Sequence, residues 1–181
     1  MIMKAVFLDR DGVLNQAVVR GGKPYPPQCL EELVIFPDAG AALDALRRGG
    51  YLLVVTTNQP DIARGTTTRE QVARINQHLQ DRLPLDAIEV CEHDDADKCA
   101  CRKPKSGLLT RAAVRDGIAL TRSFMVGDRW RDIEAGRRAG CRTVLIGDGY
   151  GEELKSQADV TVTSLGEAAT WILAQPEKQE S

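Results

Sequence analysis

Six short, mostly apolar runs, separated by stretches with helical spacing, constrain this chain more than any other feature. The runs cover residues 4–8, 51–56, 87–91, 123–126, 143–146 and 159–162. Most are apolar at consecutive positions, so both sides of the pleat must be covered. Helical patterns fall between them, at residues 38–48, 68–83, 108–115, 130–139 and 164–173. The first carries Ala41, Ala42, Ala45 and Leu46 on one face, begins after Pro37 and stops at Gly49-Gly50. The second opens on Thr68-x-x-Gln71, the pattern of a capping box. This alternation predicts an α/β fold, a Rossmann-like open and mostly parallel sheet with helices on both faces. The 181 residues suit a single domain over 1–175, with a frayed tail at 176–181.

Charge and composition exclude several function classes. Twenty-four Lys and Arg against 26 Asp and Glu leave a net charge of −2, with no basic stripe for nucleic acid. No apolar run approaches the ~20 residues that span a bilayer. The opening Met1-Ile2-Met3-Lys4-Ala5 enters a strand directly and lacks the parts of a signal peptide. The expectation is a cytoplasmic monomer without nucleic-acid or membrane partners. In that compartment the five cysteines are not read as disulfides.

In an open parallel sheet, ligands bind outside the carboxyl ends of the strands. The chemistry-bearing residues of this chain gather there. Asp9 and Asp11 follow the first strand, and Gly12 ends it. Two acids crowded at a strand mouth need a cation or a shared proton. Asp9 can attack phosphorus to give an aspartyl-phosphate. Asp11 can protonate the leaving oxygen and then activate water. Asp128, after the fourth strand, can complete a Mg2+ site with Asp9 and the Asp11 carbonyl. Asp132, one helical turn on, can support that site or serve the helix N-terminus. Thr57, with the backbone amides of Asn58 and Gln59, can hold phosphate oxygens. Lys103 can supply positive charge to Asp9 and to a transferring phosphoryl group.

A second constellation lies in the loop after the third strand. Cys91-x-His93-x5-Cys99-x-Cys101 offers three thiolates and one imidazole, a set that suits tetrahedral Zn2+. Four protein ligands close the coordination sphere, which makes the ion structural. Ordering each loop residue costs ~1–2 kcal/mol. Structural zinc returns ~10–16 kcal/mol, enough to hold a polar loop with little core of its own.

With these residues in hand, the chain resembles the haloacid-dehalogenase-like phosphatases. It is most similar to the branch that holds heptose bisphosphate and histidinol phosphatases. The matching pieces are FLDRDGVLN, VTTNQPDIARG, CEHDDADKCACRKP and MVGDRWRDIEAGRRAGC. The resemblance implies Asp9 as nucleophile, Asp11 as acid and base, and Thr57 and Asn58 as phosphate contacts. It implies Lys103 as the motif lysine, Mg2+ on Asp9, Asp11 and Asp128, and Zn2+ on Cys91, His93, Cys99 and Cys101. It suggests Gln59, Arg102 and Arg129 near a small sugar-phosphate substrate, and a pocket shaped by short loops rather than a large cap domain. The IARG of Ile62–Gly65 looks more like the heptose enzymes, which implies removal of the 7-phosphate of D-glycero-D-manno-heptose 1,7-bisphosphate. The cations Arg64, Arg102, Lys105 and Arg129 are expected at the mouth.

The chain departs from the heptose pattern at Pro60-Asp61, at Lys105-Ser106 and in the loop over residues 17–27. These departures leave a histidinol-phosphate or other small-metabolite phosphatase as the alternative. A phosphotransferase or mutase needs water excluded. A signalling receiver domain has no use for the second acid, and nothing catalytic is missing that would favour a zinc-stabilised binding module.

Overall fold

The computed structural model describes residues 2–153 and 155–176. The tail expected over 176–181 therefore lies, except for Pro176, outside the described residues. The strands are β1 (Lys4–Leu8), β2 (Val18–Arg20), β3 (Lys23–Tyr25), β4 (Tyr51–Asn58), β5 (Ala87–Cys91), β6 (Phe124–Gly127), β7 (Arg142–Ile146) and β8 (Val160–Val162). The helices are α1 (Ala39–Arg48), α2 (Arg69–Arg82), α3 (Gly107–Asp116), α4 (Trp130–Ala139) and α5 (Leu165–Leu173). None is long and apolar enough to cross a membrane.

Six strands form one parallel sheet in the order β5-β4-β1-β6-β7-β8. The strand β1 is central, with Phe7 opposite Val54 on one side and Met125 on the other. The chain winds from β1 outward to β4 and β5, then returns across β1 to start β6. The carboxyl ends of β1 and β6 therefore flank the switch point, where a crevice forms.

Period-two alternation sends β1 side chains into two separate cores. Val6 and Leu8 pack with Leu43 and Leu46 of α1, Ile75 and Leu79 of α2, and Leu165 and Ile172 of α5. Ala5 and Phe7 pack with Leu108 and Leu109 of α3 and Ala135 of α4. This double coverage is the reason the strand sequences are continuous rather than alternating.

The expected boundaries need small corrections. Asn58 lies inside β4, so Thr57 and Asn58 are its last residues rather than the loop after it. Asp38, at the start of α1, makes no side-chain cap there. Its carboxylate accepts the Gly166 N–H of α5 at 2.9 Å and so joins two helices. The capping box of α2 forms by half. Thr68 Oγ1 accepts the Gln71 N–H at 3.2 Å, but the Gln71 amide oxygen accepts the Thr67 hydroxyl instead.

The loop over residues 17–27 contains a hairpin that the sequence reading did not include. Val18 to Arg20 pairs antiparallel with Lys23 to Tyr25 across Gly21-Gly22. Both glycines have positive φ, 57° and 74°, as a two-residue hairpin turn with matching twist requires. Three residues per strand give too little alternation to register as a strand pattern.

Candidate active site

Four strand ends deliver polar side chains to one cavity of about 380 Å3. Its lining includes Asp9, Asp11, Asn58, Lys103, Asp128 and Arg129. The centre is Lys103, a residue only 1 % exposed. It donates to Asp9 Oδ1 at 2.9 Å, Asp132 Oδ1 at 2.6 Å and the Thr56 carbonyl at 2.7 Å. Burial alone would lower the pKa of this amine, but Asp132 and Asp9 outweigh it and hold the ammonium charged. Asn58 clamps the lysine's backbone. Its amide donates to the Lys103 carbonyl at 3.1 Å, and its side-chain oxygen accepts the Lys103 N–H at 3.0 Å.

Asp9 Oδ2 accepts no hydrogen bond from any described residue, which leaves one oxygen open on the cavity side. Burial raises the Asp9 pKa to about 6, with Asp132 adding and Lys103 opposing. Asp128 is 4 % exposed, and burial followed by Asp9 and Asp132 pushes its pKa well up. Its Oδ2 accepts the Tyr150 hydroxyl at 2.8 Å, while Oδ1 is buried without a partner among the described residues. Asp9, Asp128 and Asp132 each bring a carboxylate oxygen within 4.8 Å of the others. Such crowding, with a buried oxygen unpaired, fits a divalent cation. Asp132 itself has other partners. Its Oδ1 holds Lys103 and its Oδ2 accepts the Arg129 N–H at 3.1 Å, across the first turn of α4.

Asp11 lines the same cavity but stands outside that cluster. It takes a two-pronged fork from Arg10 at 3.1 Å on each prong, and single bonds at 3.0 Å from Asn15 and Gln59. Arg10 is fully buried and also donates to Asn76 of α2 at 2.9 Å. Gln59, expected beside the substrate, is 1 % exposed and bonds both Asp11 and Thr57 Oγ1. Gly12, just after Asp11, passes close to Asp128. It has φ of +89°, and a Cβ there would sit 1.7 Å from Asp128 Oδ2.

The cysteine loop supports the same rim. Cys91, His93, Cys99 and Cys101 bring their ligand atoms within 4.8 Å of one another. The Sγ–Sγ distances are 3.1, 3.5 and 3.8 Å, and His93 Nδ1 lies 3.4 and 3.7 Å from two of the sulfurs. Thiolates about 2.3 Å from one tetrahedral ion stand roughly 3.8 Å apart, so this donor set fits zinc. The cluster is joined to the active rim. The Arg102 N–H bonds Cys99 Sγ at 3.3 Å, and the Gln59 N–H bonds the Cys91 carbonyl at 2.8 Å.

The cavity wall carries Arg64, Arg102, Arg129 and Arg131, each on an acid. Arg64 forks onto Asp94, Arg102 bonds Asp95 at 2.8 Å, Arg131 reaches Asp95 at 3.2 Å, and Arg129 bonds Glu152. Lys23 on β3 lines the cavity and makes no ion pair among the described residues. Lys105, expected at the mouth, is not in the wall; its ammonium caps the Lys98 and Cys99 carbonyls.

Comparison with known proteins agrees with this geometry. The family model described as HAD-hydrolase-like matches residues 100–168. The D-glycero-beta-D-manno-heptose-1,7-bisphosphate 7-phosphatase of Haemophilus ducreyi is 34 % identical, over 93 % of this chain and 98 % of its own. The chain belongs to the haloacid-dehalogenase-like phosphatases. It is a phosphoric monoester hydrolase. The enzyme of the same name from Helicobacter pylori strain J99 is 38 % identical over 79 % of this chain and 82 % of its own. The solved D,D-heptose 1,7-bisphosphate phosphatase from B. bronchiseptica, in complex with magnesium and phosphate, is 30 % identical. It superposes with a TM-score of 0.82 over 94 % of this phosphatase and 98 % of that chain.

Arg10, Asn15, Asn76, Tyr150, Glu152, Asp95 and Lys23 were not singled out from the sequence as site residues of this phosphatase. Arg10 carried the one available signal. A charged residue between two acids at the end of a buried strand must find a buried partner.

Proposed function

We propose that this phosphatase removes the 7-phosphate of D-glycero-D-manno-heptose 1,7-bisphosphate and leaves the 1-phosphate in place. One observation carries the reading. Asp9 faces a cavity whose remaining wall bears five cations, Lys23, Arg64, Arg102, Arg129 and Arg131, against three acids, Asp61, Asp95 and Glu152. A small monophosphate needs few of these cations, whereas a second phosphate needs fixed positive partners, and arginine forks match its geometry. The names of the relatives over most of the chain favour the same substrate.

In the proposed mechanism Asp9 Oδ2 attacks phosphorus, forming the Asp9–phosphorus bond as the bond to the sugar oxygen breaks. Asp11 gives a proton to that leaving oxygen. Asp11 then takes a proton from water as the water oxygen attacks phosphorus, and the aspartyl bond breaks to release phosphate. The buried Arg10 and Gln59 hold Asp11 in place for both transfers, and Thr57 takes a phosphate oxygen. Lys103 keeps Asp9 oriented and offsets negative charge around the phosphoryl group. Asp9, Asp128 and the Asp11 carbonyl would hold magnesium, which would supply positive charge to offset that of the phosphate oxygens.

The test is a phosphate-release screen across both anomers of the heptose bisphosphate, other sugar phosphates and histidinol phosphate. The heptose bisphosphate should give the highest kcat/KM, because a wall in which cations outnumber acids favours a second phosphate over the ammonium of histidinol phosphate. Arg102→Ala should raise KM roughly tenfold or more for the bisphosphate, on the scale of a lost charged hydrogen bond, and change it little for a small monophosphate ester. Equal losses on both, or a wild-type preference for histidinol phosphate, would remove the heptose substrate and leave the phosphatase.

We also propose that Cys91, His93, Cys99 and Cys101 hold one structural zinc. Elemental analysis should find about one zinc per chain. Cys99→Ser should lower both melting temperature and activity, because the same loop seats Arg102 and Lys103. Folded, active protein free of zinc would exclude this role.

A further inference from the structure

We propose that Tyr150 is a positioning residue for the divalent cation, occupying Oδ2 of Asp128 so that Oδ1 is the oxygen offered to the metal. The proposal rests on the reading of Asp128 as a magnesium ligand. The two oxygens of this carboxylate differ sharply. Oδ2 accepts the Tyr150 hydroxyl at 2.8 Å, and Oδ1 is buried with no partner among the described residues. A carboxylate free to rotate would exchange the two. The phenol bond removes that freedom, as outer partners do for metal ligands generally.

The backbone around Tyr150 is arranged for this contact. Tyr150 has φ of 58° and ψ of 30°, a left-handed conformation that non-glycine residues adopt at a cost. It sits between Gly149 and Gly151, both also at positive φ. A strained residue kept in this state marks a place where the contact matters more than local comfort. The segment is pinned on either side. Asp148 accepts the Tyr150 N–H at 3.0 Å, and Glu152 holds Arg129, the residue after Asp128. The hydroxyl also lies over Gly12, 3.2 Å from where a Cβ would stand.

The measurement is titration of zinc-loaded, magnesium-free protein with Mg2+ alone, by calorimetry, for wild type and Tyr150→Phe. The phenylalanine keeps the ring and deletes only the hydroxyl. The magnesium Kd should rise about tenfold, and the magnesium concentration for half-maximal activity should rise by the same factor. At saturating magnesium, substrate KM should match wild type. A merely structural role would lower the melting temperature of the metal-free protein and leave Kd unchanged. Equal Kd values in the two proteins would therefore overturn the proposal. Absence of magnesium binding by wild type would overturn it together with the reading of Asp128.

Discussion

Asp9→Asn should abolish turnover, by about four orders of magnitude or more, as loss of a covalent nucleophile does elsewhere. The amide preserves shape, but its oxygen is a poor nucleophile toward phosphorus. The variant should nevertheless fold well. Burial and Asp132 already disfavour the Asp9 charge, raising its pKa to about 6. Removing that charge relieves three crowded acids, and Lys103 keeps its bond to Asp132 at 2.6 Å. In magnesium-free buffer at pH 8, Asp9→Asn should melt at or above the wild-type temperature. Steady-state assays and thermal denaturation on the same preparation check both parts. Substantial turnover in a folded variant would exclude Asp9 as the nucleophile.

Lys103→Met should be the most damaging single substitution for stability in the site. The residue is 1 % exposed and its ammonium bonds two carboxylates and a carbonyl. Methionine fills much of the same volume but leaves Asp9, Asp128 and Asp132 crowded without a cation. Removing one partner of a buried ion pair costs about 3–5 kcal/mol. The loss must depend on pH. Lys103 opposes the rise of the Asp9 pKa, so without it Asp9 binds its proton more tightly than in wild type and departs further from the unfolded value. Such a group destabilises once pH rises above the unfolded value. The gap between wild type and variant should therefore widen from pH 5 to pH 8. Urea unfolding at the two pH values measures it. Adding Asp132→Asn to Lys103→Met should recover part of the loss at pH 8. A pH-independent gap would mean that packing, rather than charge, sets the cost.

These expectations rest on residues of unequal legibility. Asp9, Asp128 and Lys103 could be read directly, because each stands where an apolar strand or a cysteine motif stops and a polar residue has no local reason to be. The cysteine cluster was equally plain, since its ligands lie within eleven residues and spacing alone brings them near. The cysteine loop is a local feature whose form follows from nearby residues, whereas β1 stops at Leu8, four residues before the Gly12 expected to end it.

The partners of those groups were decided by the tertiary structure. Asp11 is oriented by Arg10, which is itself braced on Asn76, 66 residues away on α2. No local pattern marks Asn76, which lies on the buried face of α2 with Val72, Ile75 and Leu79. Tyr150 reaches Asp128 only because the segment after β7 folds back over the ends of β1 and β6. The arginines at the mouth are legible as cations, but not as already paired, because their acids lie on other elements: Arg131 of α4 meets Asp95 of the zinc loop. Strand periodicity and residue chemistry determined the sheet, its double coverage and the set of reacting groups, since each depends on neighbours a few positions apart. Which oxygen of Asp128 is left without a partner, how Arg10 and Gln59 hold Asp11, and that Lys23 makes no ion pair among the described residues depend on groups brought together across the chain, and only the packed fold decided them.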